Sequence, residues 1–294
     1  MTDAQRTFLR RFFSTAILWT VALWTIFTGS EPGFVLLIGG LGLVGLWEYY
    51  TMLDAKQLPN FKMFGMLCGA LMLGGTFYWL AWRGKSPAEL YDFEISTLLF
   101  FLLVVFARQM FIKVQELVPL ETMAFTLFGL LYVPWPFSFV TKIVYMMPRD
   151  AAGDVTGHWY VLFFVMVTKF SDMGAYLTGS LIGKHKLVPH ISPKKTWEGF
   201  FGALAFSVGC GCALVWLLGD KLGYLSYGHA AILGLILGFS AVVGDLAESL
   251  VKRSCGVKDS GRFLPGIGGA LDLIDSILFT APMMFFYLQF VLRD

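Results

Sequence analysis

The chain has 294 residues, of which 57% are hydrophobic and 14% charged, and its mean hydropathy is +0.69. Soluble domains carry about 25% charged residues, so a soluble globular protein is excluded, and the chain reads as an all-α, polytopic integral membrane protein. The formal net charge of +2 makes no electrostatic case for nucleic acid, and no such partner is expected.

A bilayer crossing takes roughly 20 mostly apolar residues. Nine stretches qualify, at about 12–29, 32–49, 61–82, 95–111, 122–146, 158–180, 197–218, 229–250 and 267–291. Arg6, Arg10 and Arg11 ahead of the first resemble the start of a signal peptide, but no small-residue cleavage site follows, and a first anchor helix is expected. In the fourth, Arg108 cuts the apolar core short. In the fifth, Pro134 and Pro136 predict a kink or break. Gly65/Gly69 and Gly234/Gly238 have spacings suited to close helix packing. The cysteines, Cys68, Cys210, Cys212 and Cys255, form no metal or disulfide pattern and read as small core residues. There is no soluble domain, long linker or internal repeat. Residues 1–150 are expected to be scaffold helices with dimer contacts, and 151–294 a catalytic membrane region with two cytoplasmic loops.

Lys and Arg set the orientation. With the N-terminus cytoplasmic, the inner segments hold Arg6, Arg10, Arg11, Lys56, Lys62, Arg108, Lys113, the cluster Lys184–Lys195 and the cluster Lys252–Arg262. The outer side holds fewer: Arg83, Lys85, Lys142, Arg149, Lys221 and Arg293. Both charge-rich loops of the C-terminal half then face the cytoplasm, where nucleotides are.

The first five spans keep their few ionisable groups near span ends. Glu48, at the end of the second, is the most notable, and an interfacial location accounts for it. After about residue 158 the pattern changes. Lys169, Asp172 and Tyr176 share one helical face, as an ion pair or as the lining of a water-filled cavity. The basic loop GKHKLVPHISPKKTWEGFFG follows; GSLIGK within it is one residue short of a P-loop, which is rejected. Ser192, Lys194, Lys195 and Thr196 cluster phosphate-binding groups where a helix resumes, and free N–H groups there favour anions. Trp197 suits an interfacial anchor, Glu198 a cap or cation ligand, and His185 and His190 solvated loop positions.

Asp245, Glu248, Ser249 and Lys252 lie on one face of an otherwise apolar helix. A mid-membrane charge costs about 2.5–3.5 kcal/mol, and two such carboxylates repel unless a cation compensates. Lys252 compensates in part, as in a purely structural network; Mg²⁺, which takes one or two carboxylates with water and substrate phosphate, is the alternative that compensates more. The stretch VKDSGRFLPGIGGALDLIDS then brings Lys258 and Asp259 in a turn, Gly266, Gly268 and Gly269 where backbone approaches a ligand, and Asp272 and Asp275 three apart. Helix capping explains one of those two aspartates but not both.

SDMGAYLTGSLIGKHKL, SPKKTWEG and GDLAESLVKRSCGVKDSGRFLPGIGGALDLIDS, in this order, resemble the phosphatidate cytidylyltransferase (CDP-diglyceride synthase) family; the N-terminal spans match it only in being hydrophobic. The resemblance implies a nucleotidyltransferase that makes CDP-diacylglycerol and pyrophosphate from CTP and phosphatidate with Mg²⁺, and that positions Asp245 and Asp259 serve the metal. It allows a second, monovalent cation and a homodimer. Two positions depart from it: Ile267 stands where the family commonly has His, and Leu273 where it has Arg. A bacterial-type inner membrane, with the site facing the cytoplasm, is expected. Asp245, Asp259, Lys252, Lys258 and Asp172 are the expected catalytic residues, with Asp245, Asp259, Glu248 and Asp275 at the metal. Ser192, Lys194, Lys195, Thr196, Ser249, Arg253, Gly266, Gly268, Gly269 and Asp272 are expected to bind substrate. The alternatives are a CTP-dependent lipid kinase of the polyprenol type, a transporter or lipid scaffold, for which no inverted repeat is visible, and a catalytically altered homologue.

Overall fold

The computed structural model describes residues 16–292, apart from 18, 26, 114–115, 150–154 and 262–267. Among these residues eight helices are long and apolar enough to cross a membrane, which makes the chain a polytopic all-α membrane protein. The expected first span, about 12–29, lies partly outside the described residues; residues 16–17, 19–25 and 27–28 are helical.

The helices are α1 (Glu31–Ala55), α2 (Lys62–Phe77, extended by a π turn Tyr78–Trp82), α3 (Tyr91–Met110, entered through a 3₁₀ turn Pro87–Leu90), α4 (Val118–Tyr132), α5 (Pro134–Met146), α6 (Gly157–Ile182), α7 (Trp197–Leu218), α8 (Tyr227–Ser254) and α9 (Ala270–Tyr287). Their ends follow local chemistry. Ser30 caps α1 by accepting the Gly33 N–H at 3.3 Å, with Glu31 and Pro32 in the first turn. The Val118–Met146 span breaks at Val133, because Pro134 lacks an N–H and its ring displaces the preceding turn. Thr196 caps α7, its hydroxyl accepting the Gly199 N–H at 3.1 Å.

The basic loop before α7 contains an unexpected antiparallel hairpin. Its strands, Lys186–Val188 and Ser192–Thr196, pair Lys186 with Thr196 and Val188 with Ser192, with an irregularity between. Glu198 closes its base: one carboxylate oxygen lies 2.7 Å from His185 Nδ1, and both accept the His185 N–H at 3.3 Å. No apolar alternation announces these strands: of their residues only Thr196 is buried, and the others are half-buried or exposed.

The chain forms two compact units, Met1–Tyr145 with Ser254–Ile274, and Met146–Arg253 with Asp275–Asp294. In the first, Cys68, Met72, Phe101, Val105 and Leu130 form a core cluster. Glycines bring α1 and α2 together there: a Cβ added at Gly65 would strike Tyr50, and one at Gly69 would reach Leu46. In the second unit, a Cβ at Gly234 of α8 would lie 2.6 Å from the Val208 backbone of α7.

One charge departs from the expected topology. Lys142, placed by sequence among the outer-side cations, is fully buried in α5, and its Nζ lies 2.6 Å from Glu94 Oε1 of α3. The Phe139 ring lies 3.9 Å from the ammonium. A charge sunk in an apolar bundle survives only with a partner, so this cation ties two helices together. Lys142→Ala, which strands Glu94, is expected to lower stability by about 3–5 kcal/mol. The paired replacement Glu94→Leu with Lys142→Met should recover most of that loss, both read by thermal unfolding in detergent.

Candidate active site

In the second unit the polar face of α6 continues beyond the residues that announced it. Asp172, Ala175, Tyr176, Gly179 and Ser180 recur at helical spacing along one wall of a cavity of about 410 Å³. The hairpin closes another side with Leu187, Lys194, Lys195 and Thr196; α7 adds Gly199 and Phe200, and α8 adds Val242 and Asp245. Of these, Ala175, Gly179, Ser180, Leu187, Gly199, Phe200 and Val242 were not singled out from sequence. Extending the Asp172–Tyr176 periodicity by one turn would have found Gly179 and Ser180.

The cavity wall carries charges of both signs. Lys195 Nζ lies 2.8 Å from Asp245 Oδ2. Lys169 Nζ lies 3.6 Å from Asp172 Oδ2, and the Ser276 hydroxyl donates to Asp172 Oδ1 at 3.5 Å. One turn on from Asp245, Glu248 is 2% exposed and lies 2.6 Å from Lys252 Nζ. Asp275, 7% exposed, accepts its neighbour's N–H at 2.5 Å. Gly244 allows this close approach of α8 and α9: a Cβ there would lie 2.8 Å from the Asp275 carbonyl and 3.0 Å from Ser276 Cα.

One carboxylate oxygen from each of Asp245, Glu248 and Asp275 lies within 4.8 Å of the other two. Like charges this close inside a bundle repel strongly. An all-oxygen donor set of carboxylates fits a hard divalent cation of the Mg²⁺ type, so the residues present fit the ion expected. Asp259 is not part of this group; it belongs to the first unit and is exposed, as is Lys258.

In the first unit, the stretch from Lys258 to Asp272 is organised by hydrogen bonds to acidic side chains. Asp272 Oδ2 accepts the Gly269 N–H at 2.8 Å and the Ser260 N–H at 3.3 Å. The first of these is half of a capping box at the start of α9. Asp272 is therefore the capping member of the pair left ambiguous by sequence, and Asp275 is the member in the acidic cluster. Gly268 has φ of 127°, and a Cβ there would meet Asp272 Oδ2 at 2.6 Å, so glycine is required on both counts. Gly266, with Arg262, Pro265 and Ile267, lies outside the described residues.

The remaining expected residues take less central places. Thr196 lines the cavity, but its hydroxyl already caps α7. Ser192 and Ser249 are half-buried and Arg253 is exposed; none of the three lines the cavity.

The Cytidylyltransferase family model matches residues 9–291. The phosphatidate cytidylyltransferase of Bacillus subtilis is 30% identical over 280 residues, covering 95% of this chain and 97% of the relative. That of Haemophilus influenzae is 28% identical over 295 residues, covering 96% and 99%. That of Mycobacterium leprae is 36% identical over 221 residues, covering 72% and 67%. With a match of this extent, and with basic and acidic side chains gathered around one cavity, the chain belongs to the cytidylyltransferase family.

Proposed function

We propose that this protein is a phosphatidate cytidylyltransferase: it transfers the cytidylyl group of CTP to phosphatidate, giving CDP-diacylglycerol and pyrophosphate. The observation that carries this reading onto the chain's own residues is the cavity in which Lys194, Lys195, Asp172 and Asp245 meet. Two phosphate-bearing substrates repel each other, and this lining offers cations for their oxygens and carboxylates for a metal.

Asp245, Glu248 and Asp275 would hold Mg²⁺, which supplies positive charge against the crowded phosphates. Lys194 and Lys195 bind phosphate oxygens in the cavity, and Lys252 restrains Glu248 from the next turn. Lys258, Asp259, Gly268 and Gly269, with Ser192, Ser249 and Arg253, serve the nucleotide and its pyrophosphate. An oxygen of the phosphatidate phosphate attacks the α-phosphorus of CTP. The bond from that phosphorus to the bridging oxygen breaks, and pyrophosphate leaves with the electron pair. A phosphate monoester is already largely ionised near neutral pH, so no general base is required, and positioning with charge neutralisation carries the rate. In this reading the enzyme works as a homodimer in a bacterial-type inner membrane. Its N-terminus and active site face the cytoplasm, the phosphatidate enters from the inner leaflet, and a second, monovalent cation joins the Mg²⁺.

Purified protein given CTP, phosphatidate and Mg²⁺ should release one pyrophosphate per CDP-lipid formed; CDP with a phosphorylated lipid would instead identify a kinase. The two aspartates of α9 should separate under substitution. Asp275→Asn and Glu248→Gln are each expected to cut turnover about a hundredfold or more and to weaken Mn²⁺ binding seen by electron paramagnetic resonance. Asp272→Asn, which keeps a hydrogen-bond acceptor, should lose only about two- to tenfold and bind Mn²⁺ as the parent does. Wild-type Mn²⁺ binding in the Asp275 and Glu248 variants would end the metal assignment.

A further inference from the structure

Glu48 does not sit where its sequence position suggests. The end of an apolar span predicts a carboxylate at the membrane surface, yet Glu48 is 5% exposed. Its Oε2 accepts the Leu271 N–H at 2.9 Å and the Ser260 hydroxyl at 3.3 Å, from residues 223 and 212 positions further along the chain. Oε1 faces Gly261, where an added Cβ would collide with it, and a Cβ at Gly269 would strike both Ser260 Oγ and Glu48 Oε2. One carboxylate thus fills the space between a turn and the start of a helix, and only glycine fits at two of the backbone positions around it.

A buried carboxylate is a poor way to stabilise a fold. Desolvation opposes it, and an apolar side chain of similar size packs at less cost. What a carboxylate adds is direction, since it requires donors at fixed places. Here the donors are the first turn of α9 and Ser260, the residue after Asp259. Asp272 ties the same two pieces together through Gly269 and Ser260, so two carboxylates each join Ser260 to the start of α9. The segment is solvent-facing at Lys258 and Asp259, while Ser260, through which both carboxylates hold it, is buried.

We propose that Glu48 is a positioning residue for the transfer reaction: it locks the Lys258–Gly261 turn onto the start of α9 and so presets Lys258, Asp259, Gly268 and Gly269 for the nucleotide. The inference rests on the reading under Proposed function that this segment serves CTP. Glu48 touches no reacting atom; it acts through the backbone and hydroxyl it holds.

The test compares Glu48→Ala, Glu48→Gln and Ser260→Ala in the full-length protein, by steady-state kinetics and by amide hydrogen exchange. Glu48→Ala is expected to raise KM for CTP about tenfold or more while KM for phosphatidate changes less. Exchange should quicken in residues 255–273 but not in α6 or α7. Glu48→Gln, which keeps an acceptor of the same shape, should restore kcat/KM to within about threefold, and Ser260→Ala should fall between. Parental KM for CTP and parental exchange in Glu48→Ala would overturn the proposal. So would exchange that rises uniformly along the chain, which marks general destabilisation, or a Gln variant as impaired as Ala with parental exchange, which marks a need for charge alone. If Glu48→Ala does not fold, Ser260→Ala decides: a raised KM for CTP with local exchange supports the proposal, and parental values for both overturn it. Absence of CDP-lipid from the parent protein would instead sink the assigned reaction, leaving the exchange comparison to judge Glu48 as a clamp.

Discussion

A carboxylate inside an apolar bundle has to be answered by a donor or a cation, and the interior of this protein is arranged around those answers. Glu94 is met by the ammonium of Lys142 at 2.6 Å, Glu248 by Lys252 at 2.6 Å and Asp245 by Lys195 at 2.8 Å. Glu48 and Asp272 are met by backbone N–H groups at the start of α9. The two kinds of answer do different work. A cation on a neighbouring helix ties two helices; an N–H fixes a stretch of backbone in direction as well as distance.

The acidic cluster of the second unit stands apart because its three carboxylates crowd one another as well as meeting cations. Asp245 and Glu248 each have a lysine, yet both also lie within 4.8 Å of an oxygen of Asp275. In a structural ion pair such crowding would be a defect. For a chain that has to bring a triphosphate against a phosphate monoester it is useful by our reading: a divalent ion held by these carboxylates would neutralise substrate charge where the lysines are partly spent on carboxylates. Lys195 illustrates the trade, since the same ammonium that compensates Asp245 also lines the cavity.

How much of this was legible in the sequence depends on how far apart the partners lie. Elements set by neighbours three to eight residues away were legible: the apolar spans, the break at Pro134, the resumption of helix at Thr196, though not that its hydroxyl is the cap, and the polar face that starts at Asp172. The N-terminal span lies partly outside the described residues. What sequence missed is set at long range. Lys142 looks like a flanking cation until Glu94, 48 positions earlier by the numbering, is seen beside it. Glu48 looks interfacial until donors more than 200 residues away close over it. The hairpin at 186–196 has no apolar alternation to reveal it, and its pairing is held at the base by Glu198. Both families of contact obey the same chemistry; only the local ones leave a periodic trace.

The pair Asp272 and Asp275 shows why spacing alone could not assign roles. Three residues apart on a helix, they project from nearly the same face, and either could cap the helix or meet a cation. Their backbone positions decide. Asp272 is in the first turn, where unsatisfied N–H groups are available, and it takes that of Gly269, together with the Ser260 N–H from the preceding turn. Asp275 is one turn further, beyond those orphan donors; it accepts the N–H of its neighbour Ser276 and, by our reading, meets Mg²⁺. Leu273 lies between them and adds no charge. Clamping the segment falls to Asp272 and Glu48. The division between carboxylates that hold backbone and carboxylates that meet cations thus follows from where each falls relative to the start of one helix.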